Sequence, residues 1–235
     1  MNARDLQPSG NLAKKFGVKS IVYGKAGIGK TPIIQTAPRP VLLAAEPGLL
    51  SMKGTNVPTW ECYDANSPTD VKKSYNRVIE FFDWFFRSNE SKNFDTLGVD
   101  SLSQVCEIIL RYELGRNKDG RKAYGELSRF IMESICEPLY YMPNKHLYLI
   151  CKQAVNDENG QVVKCPYFPG QDLNVKIPHL FDEILHLDEY NIPGVGKQIA
   201  FRCKPSFDTK ARDRSGMLNE FEPPNLGNIF AKCSQ

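Results

Sequence analysis

One octapeptide constrains this chain more than any other stretch: Gly24-Lys25-Ala26-Gly27-Ile28-Gly29-Lys30-Thr31. It fits G-x-x-x-x-G-K-[ST], a loop that cradles phosphate groups. The β-prone run Ser20-Ile21-Val22-Tyr23 precedes it, and Ile33-Ile34-Gln35-Thr36 behind it is expected to begin a helix. That strand–loop–helix context is what the motif requires. Glycine permits positive φ, so successive N–H groups can converge on phosphate oxygens. A helix N-terminus adds partial positive charge, and Lys30 brings a mobile cation. The Thr31 hydroxyl is placed to ligate Mg²⁺. Residues 24–32 are therefore the candidate nucleotide-binding segment. Pro32 is unusual there, because proline has no N–H to offer a phosphate.

A phosphate loop of this kind implies an α/β chain, and the apolar runs agree. Pro40-Val41-Leu42-Leu43-Ala44-Ala45 is continuous and apolar, as in a buried parallel strand, and closes on Glu46-Pro47-Gly48. Ligands sit at the C-terminal ends of such strands. Glu46 there either polarises an attacking water or caps the next loop. Phe94-Asp95-Thr96-Leu97-Gly98-Val99-Asp100 leads apolar residues into an aspartate, which is expected to share Mg²⁺ with Thr31. Lys145 to Cys151 is a third buried run and ends in the polar pair Lys152-Gln153. That pair either points at a terminal phosphate or simply opens a loop.

Between these runs, helices are expected over Pro68–Arg87, Ser101–Leu114 and Tyr124–Met142 from apolar residues at helical spacing. A short strand is expected at Thr59–Tyr63. Residues 115–122 interrupt the helical pattern with Arg116, Lys118, Arg121 and Lys122 against Asp119. This is a solvated loop or a contact for a nucleic-acid backbone. Residues 154–171 read as a long polar connection, of the kind that is usually functional. Strands are expected near 183–187 and 198–203, a basic stretch at 210–216, and a terminal helix from Asn225 to Cys233. Residues 1–18, with Leu6, Leu12 and Phe16, read as an N-terminal arm before a single domain over 19–235.

Composition excludes several classes. At 235 residues, 41% hydrophobic and 24% charged, the chain has enough material for one large core. A net charge of +3 permits a nucleic-acid partner without requiring one. Seven cysteines with no C-x-x-C pair read as reduced thiols, not as a disulfide frame or zinc site. No signal core or membrane-length apolar run is present, so a cytoplasmic protein without membrane contact is expected.

With these residues located, the chain resembles the RecA-type ATPase core. It is most similar to the small phage and prophage ATPases of single-strand annealing and recombination. The resemblance runs from about Ser20 to Arg214 and rests on GKAGIGKT, AAEPG, LGVDSLSQ, YLICKQ and TKARDRSG in that order. It implies a mainly parallel twisted sheet flanked by helices, with short strands added toward the C-terminus. It also implies ATP and Mg²⁺ as ligands. Glu46 resembles the water-activating glutamate, Asp100 the metal-site aspartate, and Gln153 the γ-phosphate sensor that opens a DNA-binding loop over 154–171. Residues 115–122 resemble the first DNA-binding loop, so Arg116, Lys118, Arg121 and Lys122, with Lys164 of the 154–171 loop, become candidate nucleic-acid contacts. Lys210 and Arg212, with Arg214, resemble cations lent across a subunit interface. The implied partners are single-stranded DNA, further copies of the chain and a single-strand-binding protein, in a phage-infected or prophage-bearing cell. Residues 154–171 are not strongly basic, since Asp157 and Glu158 offset Lys164. A nucleotide-holding switch with little turnover, and a small-molecule kinase with Lys210–Arg214 as its lid, are the alternatives.

Overall fold

Alternating burial along the central strands builds two packed faces. Ile21, Tyr23, Leu97, Val99, Leu147 and Leu149 face one core, while Val22, Leu42, Tyr148, Ile150 and Leu185 face the other. Side chains alternate across a pleated strand, so a continuous apolar run fills both faces of a covered sheet. The computed structural model describes Gly10 and residues 15–64, 66–158 and 160–235. Most of the expected N-terminal arm, including Leu6 and Leu12, lies outside the described residues. Phe16 packs against Tyr140 and Tyr141, with ring centroids 6.3 and 5.9 Å apart.

The strands are β1 (Lys19–Tyr23), β2 (Pro40–Ala44), β3 (Thr59–Glu61), β4 (Thr96–Asp100), β5 (His146–Glu158), β6 (Gln161–Tyr167), β7 (Glu183–Ile192), β8 (Gly196–Arg202), β9 (Arg212–Asp213) and β10 (Phe221–Glu222). They form one sheet in the order β10-β8-β7-β1-β5-β4-β2-β3, with β6 on β5 and β9 on β7. Every pairing from β7 across to β3 is parallel, and β6, β8, β9 and β10 add antiparallel. This is an α/β fold with a mainly parallel central sheet: the strand feeding the phosphate loop is central and the added strands are C-terminal.

One face is covered by α1 (Val71–Arg87), α2 (Leu102–Arg116) and α3 (Gly120–Phe130). Chain from α3 continues through a wide turn at Ile131–Cys136 into α4 (Glu137–Tyr141). Asp70 caps α1 by accepting from Lys73 N at 3.0 Å, and α1 buries Val78, Phe81, Phe82 and Phe85. Helix α5 (Gln171–Leu180) joins this core, while α6 (Leu226–Cys233) lies on the opposite face.

Three expectations are corrected. The helix expected after the phosphate loop is a six-residue 3-10 turn, Thr31–Thr36, with Pro32 in its first positions and Pro38 just beyond its end. A proline cannot continue a helix, and so short a turn carries little dipole. Gly98 admits this turn to the sheet: a Cβ there would stand 2.9 Å from the Ile34 side chain. The expected long connection at 154–171 is instead the β5–β6 hairpin, paired from Lys152↔Tyr167 to Glu158↔Gln161. Its polarity reflects exposure, and Asp157 Oδ1 fixes the turn by accepting from Gly160 N at 2.7 Å. The expected loop at 115–122 is mostly helix, with Arg116 ending α2 and Arg121 and Lys122 in the first turn of α3.

Candidate functional site

The turn after β1 has the shape its sequence requires. A Cβ on Gly24 would lie 2.3 Å from the Leu187 carbonyl oxygen, so no larger residue fits. Gly27 and Gly29 have φ of 76° and 93°, in the region that glycine enters without cost. Lys30 Nζ folds over the loop and donates to the Gly24 and Lys25 carbonyls at 2.7 and 2.8 Å. Burial pulls its pKa down, while Asp100 and Glu46 oppose the shift. The Tyr148 hydroxyl donates to the Lys30 carbonyl at 2.7 Å and pins the loop to β5.

The acids arrive by strand register. Ala44 of β2 pairs with Asp100 of β4, so Glu46 and Asp100 leave adjacent strands at the same end of the sheet. The Asp100 carbonyl accepts from Ala45 N at 2.6 Å and Glu46 N at 3.1 Å, locking the two strand ends together. Thr31 Oγ1 donates to Asp100 Oδ2 at 2.5 Å. The Ser101 hydroxyl donates to Glu46 Oε1 and also accepts from Gln104 N at 3.1 Å as the cap of α2. Burial raises the Asp100 pKa; the Thr31 hydrogen bond lowers it and Glu46 raises it further.

Gly24, Lys30, Glu46, Asp100, Lys152 and Gln153 line one cavity of about 450 Å³. Three separate strand ends and the phosphate loop therefore converge on a single space. Around it stand hard oxygens and the ammoniums of Lys25, Lys30 and Lys152, with the Thr31 hydroxyl beside a carboxylate that burial destabilises. A divalent cation would relieve that carboxylate. Among the described residues no group of three His, Cys, Asp or Glu side chains is arranged to cage a metal. Mg²⁺ suits such a site, because it takes one or two protein oxygens and completes its shell with phosphate and water. Thr31 and Asp100 would hold it, and bound there it would neutralise phosphate charge.

Gln153 has a partner that sequence reasoning missed. Its Oε1 lies 2.9 Å from His186 Nε2, and His186 Nδ1 meets the Tyr190 hydroxyl. Burial lowers the His186 pKa to about 4, so the ring is neutral at physiological pH. A carbonyl oxygen can only accept, so Nε2 carries the proton and Nδ1 accepts from Tyr190. Lys25 is also tied to this region, with Nζ 2.7 Å from Asp188 Oδ1. No local motif marks His186 or Asp188, which reach the site through the pairing of β7 with β1.

The expected nucleic-acid and interface cations lie elsewhere. Arg116 is 3.5 Å from Glu113, Lys164 is 3.4 Å from Asp208, and Lys210 is 2.5 Å from Glu158. Lys118, Arg121 and Lys122 are exposed. The backbone at Lys210 is fixed near the end of β1, since the Tyr23 hydroxyl donates to its carbonyl at 2.5 Å. Arg212, expected as a cation reaching a neighbour, is held within its own chain. Its guanidinium donates to the Pro178 and Phe181 carbonyls, with Asp182 O at 3.4 Å, so it staples its own chain. Arg214 pairs with Asp182 at 2.9 Å. None of these side chains lines the cavity. Among the described residues, no helix is long and apolar enough to cross a membrane.

No curated protein matches the chain. Among solved structures it is similar to a KaiC-like protein of the archaeon Pyrococcus horikoshii OT3, at 13% identity and a TM-score of 0.44 over 79% of this chain and 77% of that one. It is similar also to the flagellar accessory protein FlaH of Methanocaldococcus jannaschii, at 9% identity and a TM-score of 0.41 over 80% and 78%. A type III secretion system ATPase of pathogenic bacteria gives 12% and 0.41, over 74% of this chain and 52% of that one. A family model covers residues 17–215 under the description AAA domain. With that match spanning the phosphate loop, both acids and the β5–β6 hairpin, the chain belongs to the AAA domain family (AAA_24) of P-loop ATPases.

Proposed function

We propose that this chain binds ATP with Mg²⁺ at the strand ends, hydrolyses it, and couples its nucleotide state to single-stranded DNA as a homo-oligomer. The observation that carries the ATPase reading is the convergence of Lys30, Glu46, Asp100 and Gln153 on one cavity. Lys30 and the loop N–H groups hold the phosphates. Glu46, oriented by Ser101, positions the water and takes its proton. Gln153 sits where β5 leaves the parallel sheet and enters the hairpin, so a change at the terminal phosphate is passed directly into residues 154–167.

The DNA reading is supported by what stands on that hairpin, not by net charge. Gln161 Nε2 donates to the Phe207 carbonyl, and the Phe207 ring is 80% exposed. An exposed aromatic beside a hairpin offers a stacking surface to unpaired bases of any sequence. In this reading Lys210, exposed beside this hairpin and paired with Glu158 at 2.5 Å, is the cation that would exchange that partner for a neighbouring copy. The switch reading is favoured by Pro32 and the short 3-10 turn, which remove a phosphate donor and weaken the dipole.

Hydrolysis of ATP measured with and without single-stranded DNA separates these readings. Stimulation by DNA that is lost in Phe207→Ala supports the proposal. ATP retained without turnover supports the switch, and phosphate transfer to a small acceptor supports a kinase.

A further inference from the structure

Lys152 immediately precedes Gln153 on β5 and lines the same cavity as Lys30, Glu46 and Asp100. Its Nζ donates to both carboxylate oxygens of Glu107 at 2.9 Å and to Gln104 Oε1 at 2.7 Å. Gln104 is held in turn by the Tyr63 hydroxyl, 3.0 Å from its Nε2. The base of the lysine is equally fixed, because its backbone N–H donates to Ser103 Oγ at 3.0 Å. A mobile four-carbon stem thus rises from an anchored strand end beside the phosphate-binding loop. The side chains of Lys152 and Glu107 are 36% and 22% exposed, and a partly exposed ion pair of this kind adds little to stability. The fold does not need it.

We propose that Lys152 is a catalytic cation supplied by the chain itself, parked on Glu107 and transferred to the terminal phosphate of a bound nucleoside triphosphate. The inference rests on the ATPase reading above and adds a residue and a resting state to it. During hydrolysis the water oxygen bonds to the terminal phosphorus. The bond to the bridging oxygen breaks, with its electron pair leaving on the diphosphate. The water's proton passes to Glu46 and then to the released phosphate. Lys152 remains an ammonium throughout and neutralises the growing negative charge. With Arg212 committed to its own carbonyls, a cation already inside the cavity gives a single copy of the chain a basal reaction. Glu107 sets its rate by competing for the ammonium.

The test compares binding of ADP and of a non-hydrolysable ATP analogue by calorimetry, using the full chain and its Lys152→Met and Glu107→Gln variants. Lys152→Met is expected to weaken the ATP analogue on the order of tenfold to a hundredfold while leaving ADP unchanged, as expected for one charge-assisted contact to the terminal phosphate. Glu107→Gln is expected to tighten the analogue and raise single-turnover hydrolysis. Equal weakening of both nucleotides in Lys152→Met, or no change in either, overturns the proposal. Wild-type protein that binds neither nucleotide overturns the ATPase reading and the role of Lys152 together. Binding of both by the wild type, with no discrimination lost in Lys152→Met, overturns only the role of Lys152.

Discussion

Buried acids occur at both ends of the parallel sheet, and they have different company. At the C-terminal ends, Asp100 meets a hydroxyl and a folded-back lysine beside an open cavity. At the N-terminal end, Glu183 opens β7 with 1% of its surface exposed. Its Oε1 accepts from Ser215 N at 3.2 Å, while Oε2 is buried without a partner. Burial, with Asp213 beside it, pushes the Glu183 pKa up to about 8. Burial raises the pKa of both acids, but only the first has a hydroxyl and a lysine that oppose the shift and an open cavity in front of it. Desolvated charge identifies a site only where other groups and open volume converge on it.

The contrast is sharpest in turnover. Glu46→Gln keeps the shape and the Ser101 contact but removes the base, so hydrolysis should fall by roughly 10²–10⁴ with ATP affinity preserved. Steady-state hydrolysis alongside binding of a non-hydrolysable analogue checks this. Loss of affinity in parallel with turnover would reduce Glu46 to a cap.

The phosphate loop and the acids at strand ends were legible because each is a local pattern: glycine spacing, or an apolar run ending in a carboxylate. Register then did the rest, since β2 and β4 are neighbours and bring Glu46 to Asp100. The prolines at 32, 38 and 40 were legible too, yet a helix was expected where six residues of 3-10 turn form. The β5–β6 hairpin was hidden because its exposed strands carry Asp157, Glu158 and Pro166 where alternation would announce a strand. His186, Glu107 and the carbonyls that hold Arg212 were not legible at all. They act across 31 to 45 residues of sequence, and only tertiary packing brings them to their partners.

Arg212 offers the next largest effect. Removing its guanidinium strands the Pro178 and Phe181 carbonyls, so Arg212→Ala should destabilise the chain by about 2 kcal/mol. Denaturant unfolding measures it. Unchanged stability with loss of concentration-dependent hydrolysis would restore Arg212 to a subunit interface.

Glu183 should show itself in pH dependence. Its carboxyl stays neutral in the folded chain to about pH 8 but ionises in the unfolded chain above the ordinary value of 4.5. Unfolding therefore releases a proton across that window, and stability falls as pH rises through it. Glu183→Gln should flatten the decline by on the order of 2 kcal/mol, read from melting curves taken between those limits. An identical pH profile in the variant would place the titration elsewhere. The smallest effect belongs to the exposed helix start: Lys122→Ala should change stability by less than about 0.5 kcal/mol and leave ATP affinity intact. A loss of nucleotide binding there would erase the distinction between cavity and surface.

Thermal melting of the wild type and Lys30→Ala, each with and without saturating ATP and Mg²⁺, goes to the root of the account. A ligand at a hundred times its dissociation constant adds about 2.7 kcal/mol to the folded state, which for a chain of this size is a rise of roughly 5–10 °C. The wild type should show that rise and Lys30→Ala should not. Equal melting temperatures with and without nucleotide in the wild type, or the same rise in both proteins, would contradict a nucleotide held at the end of β1.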